Sequence, residues 1–205
     1  MTPKTISKKK YENLKDIRDE VLNLTSSPLY SERIENGYFP VIGEGNHDAQ
    51  IMYIGEAPGK NEAETGRPFC GRAGKVLDEL LNSIGIERTD VYITNILKDR
   101  PPGNRDPLPN EVEIYAPFLD RQIEIIQPKV IATLGRHSMS YVFKKYGLDD
   151  VLAPISKIHG KVFDIETLFG GIKLIALYHP AVAVYDSNQI SVLKNDFEIL
   201  KDLIV

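Results

Sequence analysis

The residues that could do chemistry are concentrated in three segments, of which residues 55–74 form the longest. This segment, GEAPGKNEAETGRPFCGRAG, holds five glycines, three glutamates and one aromatic residue, Phe69. Glycines let a backbone approach a ligand closely and leave amides free to donate hydrogen bonds. The lysine and hydroxyl spacing of a nucleoside triphosphate loop is missing. Phe69 therefore either stacks on a flat ligand or packs the loop against the core.

Two polar residues directly follow apolar runs. Asn95 comes after residues 91–93, and His179 stands between residues 172–177 and Pro180. An amide donates and accepts at once, which suits the edge of a nucleobase. Proline fixes the backbone beside the histidine. Each residue also has a structural interpretation, because asparagine commonly forms turns and a single histidine is often only structural.

Hydrophobic patterns predict the elements that position these segments. Apolar runs predict strands, and helical spacing predicts helices, the first with the apolar face Tyr11, Leu14, Ile17, Val21 and Leu22. The alternation of strands with helices predicts a mostly parallel sheet covered on both faces. Ligands bind beyond the carboxyl ends of such strands. The strands are expected at 49–54, 91–93, 130–134, 160–165 and 172–177; the helices at 8–23, 72–84, from Pro109, after Gly135 and at the end of the chain; and the ligand-facing segments at 55–74, 95–105, 135–137 and 178–185.

Composition restricts the class of protein. The chain has 205 residues, 42% hydrophobic and 26% charged, which predicts one globular domain over residues 1–205. No apolar run is long enough for a membrane span, and no secretory signal is visible, so a cytoplasmic protein is expected. The single cysteine, Cys70, can form neither an internal disulfide nor a four-thiolate metal site.

The charge distribution leaves nucleic-acid binding open. A formal net charge of −4 argues weakly against a DNA-binding surface. Local clusters matter more than the sum, and the alternative is that they are ordinary solvated loops. The two basic clusters are Lys98, Arg100 and Arg105, and Lys157, His159 and Lys161.

Together the segments resemble the type-four uracil-DNA glycosylases. The matching motifs, in the order of that family, are GEGN (43–46), GEAPG (55–59), GRPFCGRAGKVLDELL (66–81), YITNILK (92–98), RPPGNRDP (100–107), PFL (117–119), PKVIATLG (128–135) and YHPA (178–181). The resemblance implies a three-layer α/β/α fold with a four-stranded parallel sheet. It also implies excision of uracil from DNA, with water as nucleophile and an abasic site as product.

The resemblance also implies roles for individual residues. Phe69 would stack on the flipped uracil, Asn95 would read its edge, and His179 would stabilise the charge that develops on its oxygen. The water would be oriented by Glu56 or Glu62, a choice that the residues leave open. The remaining implied residues are Gly55, Glu56, Ala57 and Asn104 in the uracil pocket, and Arg100, Arg105, Lys157, His159 and Lys161 along the DNA.

The chain departs from the family at the iron–sulfur cluster. The four cysteine positions hold Leu24, Ser27, Asp99 and Tyr115, so no cofactor and no metal are expected. Our hypothesis is that Leu24 and Tyr115 fill the volume of the cluster with apolar contacts. Asp99 is then expected to pair with a basic group or a helix end.

Other functions remain possible at this point. A relative could prefer another base such as hypoxanthine, or could be a catalytically silent DNA-binding module that lost activity with its cluster. Against the second, the pocket residues are intact while the cluster ligands changed together. An unrelated nucleotide-binding protein is disfavoured by the missing phosphate-loop lysine. The expected partner is uracil-containing DNA, with no membrane contact, and the expected form is a monomer associated with the nucleoid of a prokaryote.

Overall fold

A six-stranded sheet forms the centre of the computed structural model, which describes residues 3–203. Its strands are β1 Glu44–Gly45, β2 Ile51–Gly55, β3 Tyr92–Asn95, β4 Val130–Leu134, β5 Val162–Thr167 and β6 Gly170–Leu177, in the order β1-β3-β2-β4-β6-β5. The four inner strands are parallel to one another. The two edge strands are antiparallel to their neighbours.

The expectation of a four-stranded sheet is right for the parallel centre and wrong for the edges. β1 has only two residues, too few for a hydrophobic pattern to show. β5 was expected as a strand, but it joins β6 in an antiparallel hairpin through the turn before Gly170 and so widens the sheet. The mostly parallel α/β class is confirmed.

Helices cover both faces of the sheet. Alternate residues of one strand enter two separate apolar clusters, as the pleat requires: Met52 and Ile54 contribute to one and Ile51 and Tyr53 to the other. The helices are α1 Pro3–Leu22, α2 Tyr30–Glu35, α3 Lys60–Thr65, α4 Arg72–Ser83, α5 Pro109–Ile126, α6 Arg136–Lys145, α7 Ile155–Ile158, α8 Ala181–Tyr185 and α9 Ile190–Leu203. Residues of α1, α5 and α6 pack in the first cluster and those of α4 and α9 in the second, which gives the predicted three layers.

The apolar face of α1 is narrower than the sequence predicted. Leu14, Ile17 and Val21 are buried, whereas Tyr11 and Leu22 are 52% and 42% exposed. Only residues that point at α5 and the sheet lose contact with water, because one packed surface covers a limited arc of a helix.

Across the described residues, no helix has the length and apolar character that a membrane crossing requires.

The sheet brings the candidate segments to one edge. β2 and β3 are parallel and end in register, with Gly55 opposite Asn95. β4 and β6 end at Leu134 and Leu177. The loops that follow these four strands therefore lie together, as the rule for parallel sheets predicts.

Candidate active site

A cavity of about 340 Å³ opens at the carboxyl edge of the sheet. Ligand pockets commonly lie in this place in α/β folds. Residues predicted from the sequence that line it are Glu56, Ala57, Glu62, Phe69, Asn95, Asn104, Arg105 and His179. The sequence interpretation missed Pro58, Gly59, Ala73, Pro101 and Ala181, which are small or apolar and show no chemical signature.

Phe69 and Gly55 fit against each other at the base of the cavity. Phe69 is buried, at 6% exposure, and its φ of +47° lies in the left-handed region, which is strained for a bulky residue. A Cβ on Gly55 would lie 2.8 Å from the Phe69 ring and 2.3 Å from Asn95 Oδ1. Gly55 is therefore required for the ring and the amide to approach the strand end together.

Asn95 presents an acceptor that the described residues do not use. The residue is 2% exposed, and its Oδ1 has no hydrogen-bond partner within residues 3–203. A buried acceptor without a donor costs about 1–3 kcal/mol. A ligand N–H that reaches Oδ1 would remove this cost, so the amide is prepared for a donor.

His179 is a neutral donor. The amide N–H of Ala181 donates to Nδ1 at 3.1 Å, so Nδ1 is an acceptor and the proton of the neutral ring is assigned to Nε2. Burial lowers the pKa of His179 to about 4, against the opposing effect of Glu62. The ring stands 5.5 Å from that of Phe69. At neutral pH the site therefore holds an uncharged imidazole with an N–H donor.

The two glutamates of the cavity have different surroundings. Oε1 of Glu62 accepts the backbone amides of Cys70 at 2.9 Å and Gly71 at 2.8 Å, which ties it to the loop before α4. Glu56 has a raised pKa because of burial, an effect that His137 partly opposes. Glu56 Oε2 lies 3.8 Å from His137 Nε2. Glu62 thus holds the loop that carries Phe69, while Glu56 keeps its carboxylate near the mouth of the cavity.

A small polar group surrounds Glu56 at the rim. Glu56, Asp106 and His137 offer one ligand atom each within 4.8 Å of one another. Asp106 also pairs with the guanidinium of Arg136 and, at 3.3 Å, with His137 Nε2. Because these basic groups already balance the carboxylates, we assign no metal to the group. Residues 135–137 follow a predicted strand, and this position is the feature of the sequence that points to His137.

The loop 100–105 holds its two arginines within the protein. Arg100 Nε donates to Asn104 Oδ1 at 2.7 Å, and its guanidinium stands 5.6 Å from the Tyr38 ring. Arg105 NH1 donates to Oε2 of the fully buried Glu111 at 2.8 Å. Both guanidinium groups are therefore held at the rim by protein partners, while the Arg105 side chain stays 37% exposed.

The second basic cluster lies at the same edge of the sheet. Gly160 N donates to the carbonyl of Ala176 at 2.8 Å, just before the end of β6. Lys157 and Lys161 are exposed. His159 Nδ1 lies 2.8 Å from Asp196 Oδ2. These side chains stand outside the lining of the cavity.

One residue of the first basic cluster is not on the surface. Lys98 has no exposed area, so the expectation that it belongs to a basic surface is wrong. The sequence pattern missed this because Lys98 follows β3 closely enough to be covered by α5, a contact that spacing along the chain does not reveal.

Three of the four positions that the resemblance assigns to cluster ligands, Ser27, Asp99 and Tyr115, come together with Arg33 as a buried group that we call the Tyr115 cluster. The Tyr115 hydroxyl donates to Asp99 Oδ2 at 2.6 Å and lies 2.7 Å from Ser27 Oγ. Arg33 NH1 lies 3.5 Å from Asp99 Oδ1. The predicted pairing of Asp99 with a basic group is confirmed.

The expectation for Tyr115 is right in part. It fills buried volume, but its hydroxyl also takes part in the polar network. Leu24 packs against the apolar core as expected. Burial raises the pKa of Asp99, while Tyr115 and Arg33 oppose that rise.

These residues do not fit an iron–sulfur cluster. A four-iron site is held by thiolates, whereas these positions offer one aliphatic side chain and oxygen atoms bonded to one another. The chain's single cysteine, Cys70, lies in the loop beside the cavity, with Sγ 3.3 Å from Thr65 Oγ1. The side chains present therefore build a different kind of core.

Comparison with known proteins identifies the family that has this fold. Residues 42–203 match the family model of the uracil DNA glycosylase superfamily, and the chain belongs to that superfamily.

The relatives narrow the group further, since all three described next are type-4 uracil-DNA glycosylases. The one from Sulfurisphaera tokodaii is 43% identical over 95% of this chain and 86% of its own length. The one from Archaeoglobus fulgidus is 43% identical over 94% of each chain. The one from Saccharolobus solfataricus is 46% identical over 93% of this chain and 86% of its own. The resemblance to the type-four group is confirmed.

Proposed function

We propose that this protein removes uracil from DNA by hydrolysing its N-glycosidic bond, leaving an abasic site for repair. The observation that carries the proposal is the cavity, where a buried aromatic ring, a neutral imidazole donor and an amide acceptor without a partner among the described residues line one space. A base must leave the duplex stack to reach such a space. The relatives' names fit this activity.

Recognition of uracil follows from Phe69 and Asn95. The base stacks near the Phe69 ring, a contact worth about 1–3 kcal/mol. Asn95 Oδ1 accepts the N3–H of uracil, which cytosine lacks at that position. Cytosine therefore leaves the buried acceptor unpaired and is rejected. We assign the exclusion of thymine's methyl group to Glu56, Ala57 and the adjoining backbone.

Bond cleavage depends on His179. The electron pair of the bond between the sugar and uracil N1 leaves with the base, so negative charge develops on the carbonyl oxygens of uracil. The Nε2–H of a neutral His179 donates to one of them. A fixed donor of this kind is worth about 100- to 1000-fold in rate. The oxygen of water adds to the sugar carbon; the proton that this water loses passes to solvent, and the uracil anion takes up a proton from solvent and leaves as neutral uracil.

We assign the orientation of that water to Glu56. Its carboxylate lines the cavity and accepts no backbone amide from residues 3–203, while one oxygen of Glu62 accepts two. Glu56→Gln should therefore lower the rate in a folded protein. Glu62→Gln should instead loosen the loop that carries Phe69 and weaken stacking. Equal rates for Glu56→Gln and the wild type would move the assignment to Glu62.

Contact with the DNA backbone is assigned to both basic clusters at this edge. The exposed Lys157 and Lys161 meet phosphates with His159 beside them, and Arg100 and Arg105 meet phosphates from the opposite rim, near Asn104. Each phosphate contact adds about one unit to the slope of log affinity against log salt. Binding titrations of Lys157→Ala and Lys161→Ala across salt concentrations measure that loss.

We infer that the protein works without an iron–sulfur cluster, as a single domain and a monomer in the compartment that holds the chromosome. The Tyr115 cluster, which does not fit the group, supports the first inference. Iron analysis of protein purified without oxygen tests it, and about four irons per chain would contradict it. Sedimentation measures the oligomeric state.

The activity is tested with a labelled oligonucleotide containing one uracil, beside matched strands with thymine, cytosine or hypoxanthine, each treated with alkali. Scission at uracil alone, lost in Asn95→Ala and His179→Ala, is the expected result. Scission at hypoxanthine instead would identify a different base. Binding of DNA without scission of any strand would identify a silent module and overturn the proposal.

A further inference from the structure

Lys98 is a fully buried lysine directly behind the cavity. Its Nζ donates to the Asn95 carbonyl at 2.6 Å, to Gln122 Oε1 at 2.6 Å and to Thr94 Oγ1 at 2.8 Å. An ammonium group carries three N–H donors, so these acceptors match its full capacity. The three acceptors therefore match the charged, ammonium form of Lys98.

The burial of this charge is expensive for the fold. Among the ion pairs formed by the described residues, none includes Lys98, and its acceptors are uncharged. Burial lowers the pKa of Lys98 well below the usual value for lysine. A buried charge without a counter-ion destabilises a protein, and an aliphatic residue of the same length would avoid that cost. Strongly perturbed groups beside a cavity are candidates for a functional role.

The three acceptors connect Lys98 to the residue that reads the base. Asn95 supplies the carbonyl, and its side-chain Oδ1 has no partner within the described part of the chain. The direction of the Asn95 amide is therefore set through its backbone. Gln122 fixes Lys98 in turn, because its Nε2 donates to the Ile42 carbonyl at 2.8 Å and to the Tyr92 hydroxyl at 3.1 Å.

We propose that Lys98 is a positioning residue that holds the Asn95 peptide so that the amide meets uracil in the reactive geometry. This inference rests on the proposed function. Lys98 does not touch the substrate. It acts by joining the end of β3 to α5 through Gln122, so that Asn95 does not turn away from the cavity when a base enters.

The test compares Lys98→Met with the wild type and with Tyr115→Phe. Methionine keeps the length of the side chain and removes the donors. Tyr115→Phe removes two hydrogen bonds, to Ser27 and Asp99, at an equally buried site that does not bond to Asn95. Single-turnover excision is measured with saturating uracil-containing DNA at a temperature where circular dichroism shows each protein folded, and DNA affinity is measured separately.

We expect Lys98→Met to lose roughly 10- to 100-fold in the single-turnover rate, because small misplacements of reacting groups have effects of this size. Its affinity for DNA should stay near the wild-type value, and Tyr115→Phe should keep the wild-type rate. An equal rate for Lys98→Met and the wild type would overturn the proposal. So would a loss in which both variants fall in step with their stability.

A second variant keeps the test decisive if Lys98→Met does not fold. Thr94→Val preserves size and leaves the bond between Lys98 and Asn95, while removing one of the three acceptors. A smaller loss of rate in the same direction supports the proposal, and a wild-type rate contradicts it. The wild-type protein in the same assay separates the positioning role of Lys98 from the proposed function. An inactive wild type would count against uracil excision itself, whereas an active wild type leaves the role of Lys98 to be decided by the variants.

Discussion

The cavity and the Tyr115 cluster are two buried polar regions served by neighbouring residues, yet they use polar groups differently. In the cavity, Asn95 Oδ1 has no hydrogen-bond partner among the described residues, and His179 lines the same open space. In the Tyr115 cluster, the Tyr115 hydroxyl bonds to Ser27 and Asp99, and Arg33 pairs with Asp99, although Arg33 Nε and Asp99 Oδ1 have no hydrogen-bond partner in the described part of the chain. The polar groups of the first region thus face a space that a ligand can enter, whereas those of the second face one another, so the first region is organised for a ligand and the second for the fold.

The comparison shows how neighbouring residues of the chain serve separate regions. Lys98 and Asp99 are adjacent in the chain, but Lys98 points to Asn95 and Asp99 to Tyr115. Glu56, Phe69, Asn95 and His179 meet in the cavity, whereas Ser27, Asp99 and Tyr115 meet in the Tyr115 cluster. The two regions are thus built from separate sets of contacts.

The largest loss of stability is expected for Asp99→Ala, which tests whether the Tyr115 cluster holds the fold. It leaves the guanidinium of Arg33, which is 3% exposed, without its carboxylate. Breaking a buried ion pair from one side costs about 3–5 kcal/mol. Urea denaturation should show this loss in the free energy of unfolding, with the excision rate of the folded fraction unchanged. A variant as stable as the wild type would show that the cluster does not hold the fold.

His179→Ala is the reciprocal change. Removal of the donor should lower the excision rate by about 100- to 1000-fold, equivalent to about 2.7–4 kcal/mol. Stability at neutral pH should change little, because the neutral ring accepts one backbone amide and its remaining proton serves a ligand. Single-turnover kinetics measures the excision rate, and a urea titration of the same preparation measures the free energy of unfolding. A wild-type rate would remove His179 from the mechanism.

Tyr115→Phe tests the same contrast between the two regions with a smaller expected loss in the free energy of unfolding. The change keeps the ring and removes the hydroxyl that bridges Ser27 and Asp99. Leaving these groups without that partner should lower the free energy of unfolding by about 1–3 kcal/mol. Thermal melting measures this loss. A fall in excision rate greater than the fall in folded fraction would show that the two regions are coupled.

The last test concerns the pH dependence of stability. The pKa of His179 is about 4 in the folded protein against 6.5 as the ordinary value, so between these pH values the unfolded chain binds more protons. The contribution of His179 to stability is therefore present above pH 6.5 and falls as the pH drops towards 4. Denaturation of the wild type and of His179→Ala should therefore show that, as the pH falls from 6.5 to 4, the free energy of unfolding of the wild type decreases more than that of the variant. A constant difference would mean that the histidine titrates normally.

Much of the fold and the site followed from local sequence. Continuous apolar runs specify buried parallel strands, and parallel strands bring their carboxyl ends to one edge, so the meeting of Phe69, Asn95 and His179 was predictable. The motifs then identified the family, and the cysteine count excluded thiolate ligation of a cluster.

Only the tertiary structure decided where the long polar side chains lie. Lys98 and Arg105 look alike in a basic segment, but one is buried behind Asn95 and the other pairs with Glu111 on α5. The antiparallel edges of the sheet and the bonds within the Tyr115 cluster were equally hidden. The physical reason is that strand and helix periodicity is encoded over a few neighbouring residues, whereas a side chain's partner, and with it its charge state and role, is set by chain segments that meet only after folding.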